Sequence, residues 1–142
     1  MPLVSATFTA ELPSLRKIQE FLRKSARTAK FSAEDLNRLD LVIEEIAVNV
    51  CRYAYRDTDE RPLKLDVEVS GQGEIQVCVA DRGVPFSLDM APVPNLNAAL
   101  RDRPIGGLGV FLVNHLALDI SYRRAGGWNF LGFRFAATPG PK

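Results

Sequence analysis

The apolar positions of the chain change period several times, and each change marks a new element. Residues 3–9 (LVSATFT) are β-prone and predict an edge strand. Pro13 and Ser14 then open a helical pattern, with Leu15, Ile18 and Leu22 on one face, predicted to run to about Lys30. Ser32-Ala-Glu-Asp35 resembles a capping box, with Ser32 as N-cap and an acid three positions on. Leu36, Leu39, Ile43, Ile46 and Val50 follow at three- and four-residue steps, which predicts a long amphipathic helix. Residues 57–62 (DTDERP) read as a turn. Residues 63–69 (LKLDVEV) alternate as a half-buried strand does, and 75–80 (IQVCVA) make a second strand. Gly71-Gln72-Gly73 between them predicts a hairpin.

Residues 81–107 break the pattern. Prolines at 85, 92, 94 and 104, with glycines at 83, 106 and 107, oppose continuous secondary structure. A stretch of that length inside a domain is usually functional, and Leu96–Leu100 is expected to form a short helix within it. Asp89 to Gly106 is expected to be a lid over a ligand. Gly109 to Ala117 then reads as a helix, and 118–124 and 128–136 as two closing strands joined at Gly126-Gly127. The order β-α-α-β-β-loop-α-β-β favours antiparallel pairing with the helices on one face, an α+β two-layer sandwich. A Rossmann fold would need alternating βαβ units. The expectation is one domain over residues 1–142.

Composition changes this picture little. The chain is 46% hydrophobic and 25% charged, with 18 basic and 17 acidic residues and a formal net charge of +1. The short basic clusters at Arg101–Arg103 and Arg123–Arg124 give no concentrated excess, so no direct nucleic-acid partner is expected. Cys51 and Cys78 lie in apolar segments without a CxxC or a nearby histidine, and read as buried thiols. The first residues lack the basic-then-apolar form of a secretory signal, and no apolar run nears the ~20 residues of a membrane span. A cytoplasmic location without membrane contact is the expectation.

Three segments carry candidate chemistry. On the long helix, Glu45, Asn49 and Arg52 stand at i, i+4 and i+7, opposite the apolar stripe. A carboxylate, an amide and a guanidinium would line up there, as a solvated face or as a site; Leu41 and Val48 flank it, so the face is not purely polar. Asp81-Arg-Gly83 closes a strand, where an acid followed by glycine by itself often just marks a turn. Gly106-Gly107-Leu108-Gly109 runs into a helix, whose N-terminal amides cradle phosphate; a flexible loop is the other reading. It is not a P-loop, as no GK[ST] follows.

Taken together, the segments resemble the GHKL superfamily of ATPases. Glu45-xxx-Asn49 resembles its N box, Asp81-x-Gly83 its first glycine box and Gly107-Leu108-Gly109 its second. Glu45-Ile-Ala-Val-Asn49, Asp81-Arg-Gly-Val-Pro-Phe86 and Gly107-Leu-Gly-Val-Phe-Leu are most similar to bacterial anti-sigma serine/threonine kinases. The resemblance spans about 35–135 and implies a Bergerat-type ATP-binding fold. It implies Glu45 as general base, Asn49 as a ligand to Mg²⁺, and Arg52 near a phosphate. Asp81 would accept from the adenine amino group, Gly83 and Pro85 would line the base, and Gly106, Gly107, Leu108 and Gly109 would wrap the phosphates of ATP.

The implied partners are an anti-anti-sigma antagonist, phosphorylated on serine or threonine, and a sigma factor held sequestered; a homodimer is compatible with the resemblance. Tyr53 stands where these kinases often carry histidine, Pro85 replaces the second glycine of the first box, and Trp128-Asn129 occupies the region of a threonine near adenine. His115, the one histidine, reads as structural, and no phosphoacceptor-histidine helix pair of the kind a histidine kinase needs is expected. A non-catalytic ATP- or partner-binding module is the alternative; retention of both Glu45 and Asn49 favours the enzyme.

Overall fold

Val4–Thr9 (β1), Pro62–Gly71 (β2), Glu74–Asp81 (β3), Leu118–Ala125 (β4) and Trp128–Ala136 (β5) build one sheet in the order β1-β2-β3-β5-β4. Every neighbouring pair is antiparallel, and β1 lies at an edge as its sequence predicts. The computed structural model describes residues 3–55, 58–85 and 116–138. Leu63, Leu65 and Val67 on β2, Ile75, Val77 and Val79 on β3, and Phe133 and Phe135 on β5 all point into one buried layer. Each alternates with outward positions, as the period of two requires. The β4–β5 hairpin turns on Gly126 and Gly127, at φ 59° and 80°. Two consecutive positive φ values match a type I′ turn, which suits the right-handed twist of the paired strands.

Two helices cover that layer. Leu15–Ser25 (α1) inserts Ile18 and Leu22, and Ala33–Asn49 (α2) inserts Leu39, Val42, Ile43, Ile46 and Ala47. Burying each of these leucine, isoleucine and valine side chains contributes about 1.5–3 kcal/mol. Phe31 packs edge-on against Phe135 at 5.3 Å between ring centres. The result is the expected two-layer α+β sandwich with the helices on one face.

Two helix ends differ from the sequence reading. α1 stops at Ser25, and Arg27–Ala29 forms a separate 3₁₀ turn before Lys30, whose φ is 59°. A left-handed residue ends a helix, and lysine there gives no glycine signal. The Gly73 amide donates to the Ala29 carbonyl at 2.7 Å, so the β2–β3 hairpin holds this turn in place. The start of α2 is as predicted: Ser32 Oγ accepts from the Asp35 amide at 3.1 Å. Asp35 Oδ1 in turn accepts from the Thr138 amide and hydroxyl at 3.2 and 3.0 Å and from Arg38 at 3.1 Å. Burial alone would raise the Asp35 carboxyl, but these bonds and the Ser32 hydroxyl outweigh it and hold it below the ordinary range.

Candidate functional site

The far end of α2 carries the first part of the site. Its core face is filled by Val42, Ile43, Ile46 and Ala47, which turns Glu45 and Asn49, one turn apart, away from the core centre. Both are half-buried. The Asn49 Oδ1 is buried and finds no hydrogen-bond partner among the described residues. An unpaired buried carbonyl oxygen is costly unless a ligand completes it. Burial raises the Glu45 carboxyl, the neighbouring Glu44 charge adds to that rise, and the Arg52 guanidinium opposes it. A carboxyl placed in this way is suited to exchange protons nearer neutrality than an exposed glutamate.

After Asn49 the helix widens into a π-helical turn over Val50–Ala54. Such turns recur at functional sites. The wider turn changes the angular step in the segment that carries Arg52, so the ideal-helix spacing does not fix its direction. Arg52 is exposed, and its charge reaches Glu45. The end of this turn is joined to the loop after β3. The Val84 amide donates to the Ala54 carbonyl at 2.7 Å. The Tyr55 hydroxyl donates to the Pro62 carbonyl and accepts from the Arg82 amide at 2.7 Å. Gly83 lies so close that an added Cβ would fall 2.1 Å from the Ala54 oxygen. Glycine is thus required here by a contact inside the protein.

Asp81 ends β3 beside this junction and is buried, at 6% exposure. Its Oδ1 accepts from the Gly83 amide and from Asn129 Nδ2, both at 2.8 Å. Among the described residues no hydrogen bond falls on Oδ2. Burial raises the carboxyl; the Asn129 and Gly83 donors and the Arg124 charge pull against it. Asn129 is itself buried on β5 directly across from Asp81 in the β3–β5 register. Pro85 is exposed at the end of this loop.

The structure thus brings Asp81, Gly83 and the end of the Asn49-bearing helix to one edge of the sandwich. Gly106, Gly107, Leu108 and Gly109, the expected lid from Asp89 to Gly106, and His115 lie outside the described residues. Tyr55, Tyr122 and Arg124 join Asp81 and its loop through hydrogen bonds but carry no weight as site residues in the sequence. Asn129 is marked there with Trp128, as the pair that stands in the region of a threonine near adenine. Cys51 and Cys78 are free and half-buried. No helix among the described residues is long and apolar enough to cross a membrane.

The two-layer sandwich thus carries a buried carboxylate at a strand end and a half-buried carboxylate–amide pair on α2. The histidine kinase-like ATPase domain family matches residues 8–135, and the chain belongs to it. The chain is 27% identical over 119 residues to the serine/threonine-protein kinase BtrW of Bordetella bronchiseptica, across 84% of this chain and 83% of that protein. Its fold is similar to the RsbU and RsbW domains of Rv1364c from Mycobacterium tuberculosis, with a TM-score of 0.66, 15% identity, and coverage of 96% of this chain and 32% of that one. It is also similar to the Erythrobacter litoralis EL346 blue-light activated histidine kinase, with a TM-score of 0.58, 20% identity, and coverage of 87% and 41%. The chain thus spans less than half the length of these two solved chains, and both likenesses concern the fold.

ATP is the ligand this family implies, and the residues present fit it. Asp81 is a buried acceptor of the kind an amino-purine needs. The unpartnered Asn49 oxygen is a hard donor of the kind Mg²⁺ prefers. Among the described residues no cluster of three or more His, Cys, Asp or Glu could cage a metal. Mg²⁺ usually takes one or two protein ligands and completes its shell with phosphates and water.

Proposed function

We propose that the protein is an anti-sigma regulatory kinase: it binds Mg-ATP, phosphorylates a serine or threonine on a small anti-anti-sigma antagonist, and sequesters a sigma factor. The observation that carries this reading is the pairing of an unpartnered, buried Asn49 oxygen with a half-buried Glu45 one helical turn away. A scaffold needs neither a raised carboxyl nor an unsatisfied amide, and leaving both costs stability. The serine/threonine kinase BtrW supports the same class of chemistry.

In this reading Asp81 receives the adenine amino group and Asn49 holds the metal through its side-chain carbonyl. Mg²⁺, when bound, supplies charge neutralisation on the phosphates. Glu45 takes the proton from the acceptor hydroxyl as it attacks, which general-base geometry allows from a side chain within hydrogen-bond reach. Arg52, exposed one turn on, offers a cation to a phosphate and tunes Glu45. The partners and the residues of the glycine segment follow from the same reading. The test is incubation with ATP labelled at its terminal phosphate and a candidate antagonist. Label on a serine or threonine of the antagonist is expected; ATP binding without label on any antagonist would leave a binding module as the better reading.

A further inference from the structure

Asn129 is a buried amide whose hydrogen-bonding capacity is used up inside the protein. Its Oδ1 accepts from the Tyr122 hydroxyl at 2.6 Å and from Arg124 at 2.8 Å. Its Nδ2 donates to Asp81 Oδ1 at 2.8 Å, to the Val84 carbonyl at 3.0 Å and to the Gly83 carbonyl at 3.2 Å. A side-chain amide has two N–H donors and one oxygen with two lone pairs, so both ends are filled. A guanidinium has no acceptor. Only the amide oxygen can therefore face Arg124, and the NH₂ must face Asp81. Arg124 is pinned in its turn by a second bond, to the Gly83 carbonyl at 3.0 Å. Asp81 Oδ1 thus meets two fixed donors, Asn129 and the Gly83 amide.

We infer that Arg124 and Asn129 form a relay that keeps two donors on Asp81 Oδ1 and leaves its Oδ2 as the acceptor that selects a 6-amino purine over a 6-oxo purine. The inference rests on the reading that Asp81 meets the base. Asn129 is a positioning residue, since it has nothing left to offer a ligand. The groups facing Asp81 among the described residues are Asn129 on β5, Arg124 on β4, the Gly83 amide, and Tyr55 after the π-helical turn, whose hydroxyl feels the Asp81 charge. Without the Asn129 donor only the Gly83 amide and the Arg124 charge oppose burial, and the carboxyl rises further. The Gly83 amide still occupies Oδ1, so the proton goes to Oδ2. An acceptor then becomes a donor: it faces the amino group of adenine unfavourably and the carbonyl of a 6-oxo base favourably.

The test compares binding of ATP and inosine triphosphate by the wild type, Asn129→Leu, Asn129→Thr and Arg124→Leu, from mildly acidic to mildly alkaline pH. The Asp81 carboxyl is titrated by NMR in the same proteins without nucleotide. The wild type should prefer ATP by about tenfold or more, the ratio worth ~1.4 kcal/mol. In Asn129→Leu that preference should collapse on acidification at a higher pH than in the wild type, with inosine triphosphate gaining as ATP loses. The Asp81 midpoint should move up in parallel. Asn129→Thr keeps a hydroxyl donor and should stay near the wild type. Should Asn129→Leu not fold, Arg124→Leu carries the same test, because the Arg124 charge also holds Asp81 down. An unchanged Asp81 midpoint, or an equal loss of both nucleotides at every pH, would overturn the relay. A wild type that binds neither nucleotide would instead remove the reading of the base site, while the midpoint in the unliganded protein still decides the relay.

Discussion

Replacing Gly83 by alanine probes how closely the loop after β3 is held to the end of the site helix. The new Cβ would lie 2.1 Å from the Ala54 oxygen, 2.5 Å from its carbonyl carbon and 2.6 Å from its Cβ. Carbon contacts are comfortable near ~3.5 Å, so two backbone segments must part by about 1 Å. Overpacking of this kind costs about 1–3 kcal/mol. The separation also breaks the Val84-to-Ala54 backbone bond, worth about 1 kcal/mol. The sum is about 2–4 kcal/mol, which at about 3 °C per kcal/mol for a chain of this size lowers the melting temperature by roughly 6–12 °C. ATP affinity should fall as well, since the Gly83 amide helps to orient Asp81. Thermal unfolding followed by circular dichroism measures the first effect and calorimetry the second. Gly71→Ala is the control, because nothing lies within 4 Å of its added Cβ. A Gly83→Ala protein that melts within about 2 °C of the wild type would refute the packing argument.

Asp81→Ala removes the buried acceptor proposed for the base, which should cost about 1–3 kcal/mol and so roughly ten- to a hundredfold in ATP affinity by calorimetry. Asp35 is held below its ordinary carboxylate value in the folded protein. Its contribution is therefore present above the unfolded value and lost as pH falls through the folded one. Asp35→Asn should lower the denaturant midpoint at neutral pH and flatten the loss of stability on acidification; a curve parallel to the wild type would contradict this. Glu45 is pushed up by burial and Glu44 and pulled down by Arg52. The acidic limb of phosphate transfer should thus move to higher pH in Arg52→Gln and to lower pH in Glu44→Gln, with the plateau rate of Glu44→Gln near the wild type.

Much of this arrangement follows from local signals. The N-cap at Ser32, the β2–β3 hairpin and the paired glycines at 126 and 127 are each written in a few adjacent residues, and the structure has them there. Glu45 and Asn49 are legible as a pair because helical spacing is regular up to Asn49. Beyond it the π-helical turn has no glycine or proline to announce it, and the direction of Arg52 depends on it. The break in α1 before Lys30 is set by a bond from Gly73, far along the chain. Asn129 is harder still. Its role exists only once β3 and β5 pair in the register that places Asp81 opposite it, across 48 residues. A spacing argument along one element does not reach such a contact.

In the proposed function Glu45 is the base of a phosphate transfer and Asn49 serves the metal. Single-turnover transfer from Mg-ATP to a serine or threonine of the antagonist, with nucleotide binding measured in parallel, tests it most directly. Glu45→Ala should keep Mg-ATP binding within a few-fold and lose transfer by about 10²–10⁴-fold, the usual contribution of a general base. Asn49→Ala should weaken Mg-ATP binding itself. Transfer by Glu45→Ala at the wild-type rate would rule Glu45 out as the base.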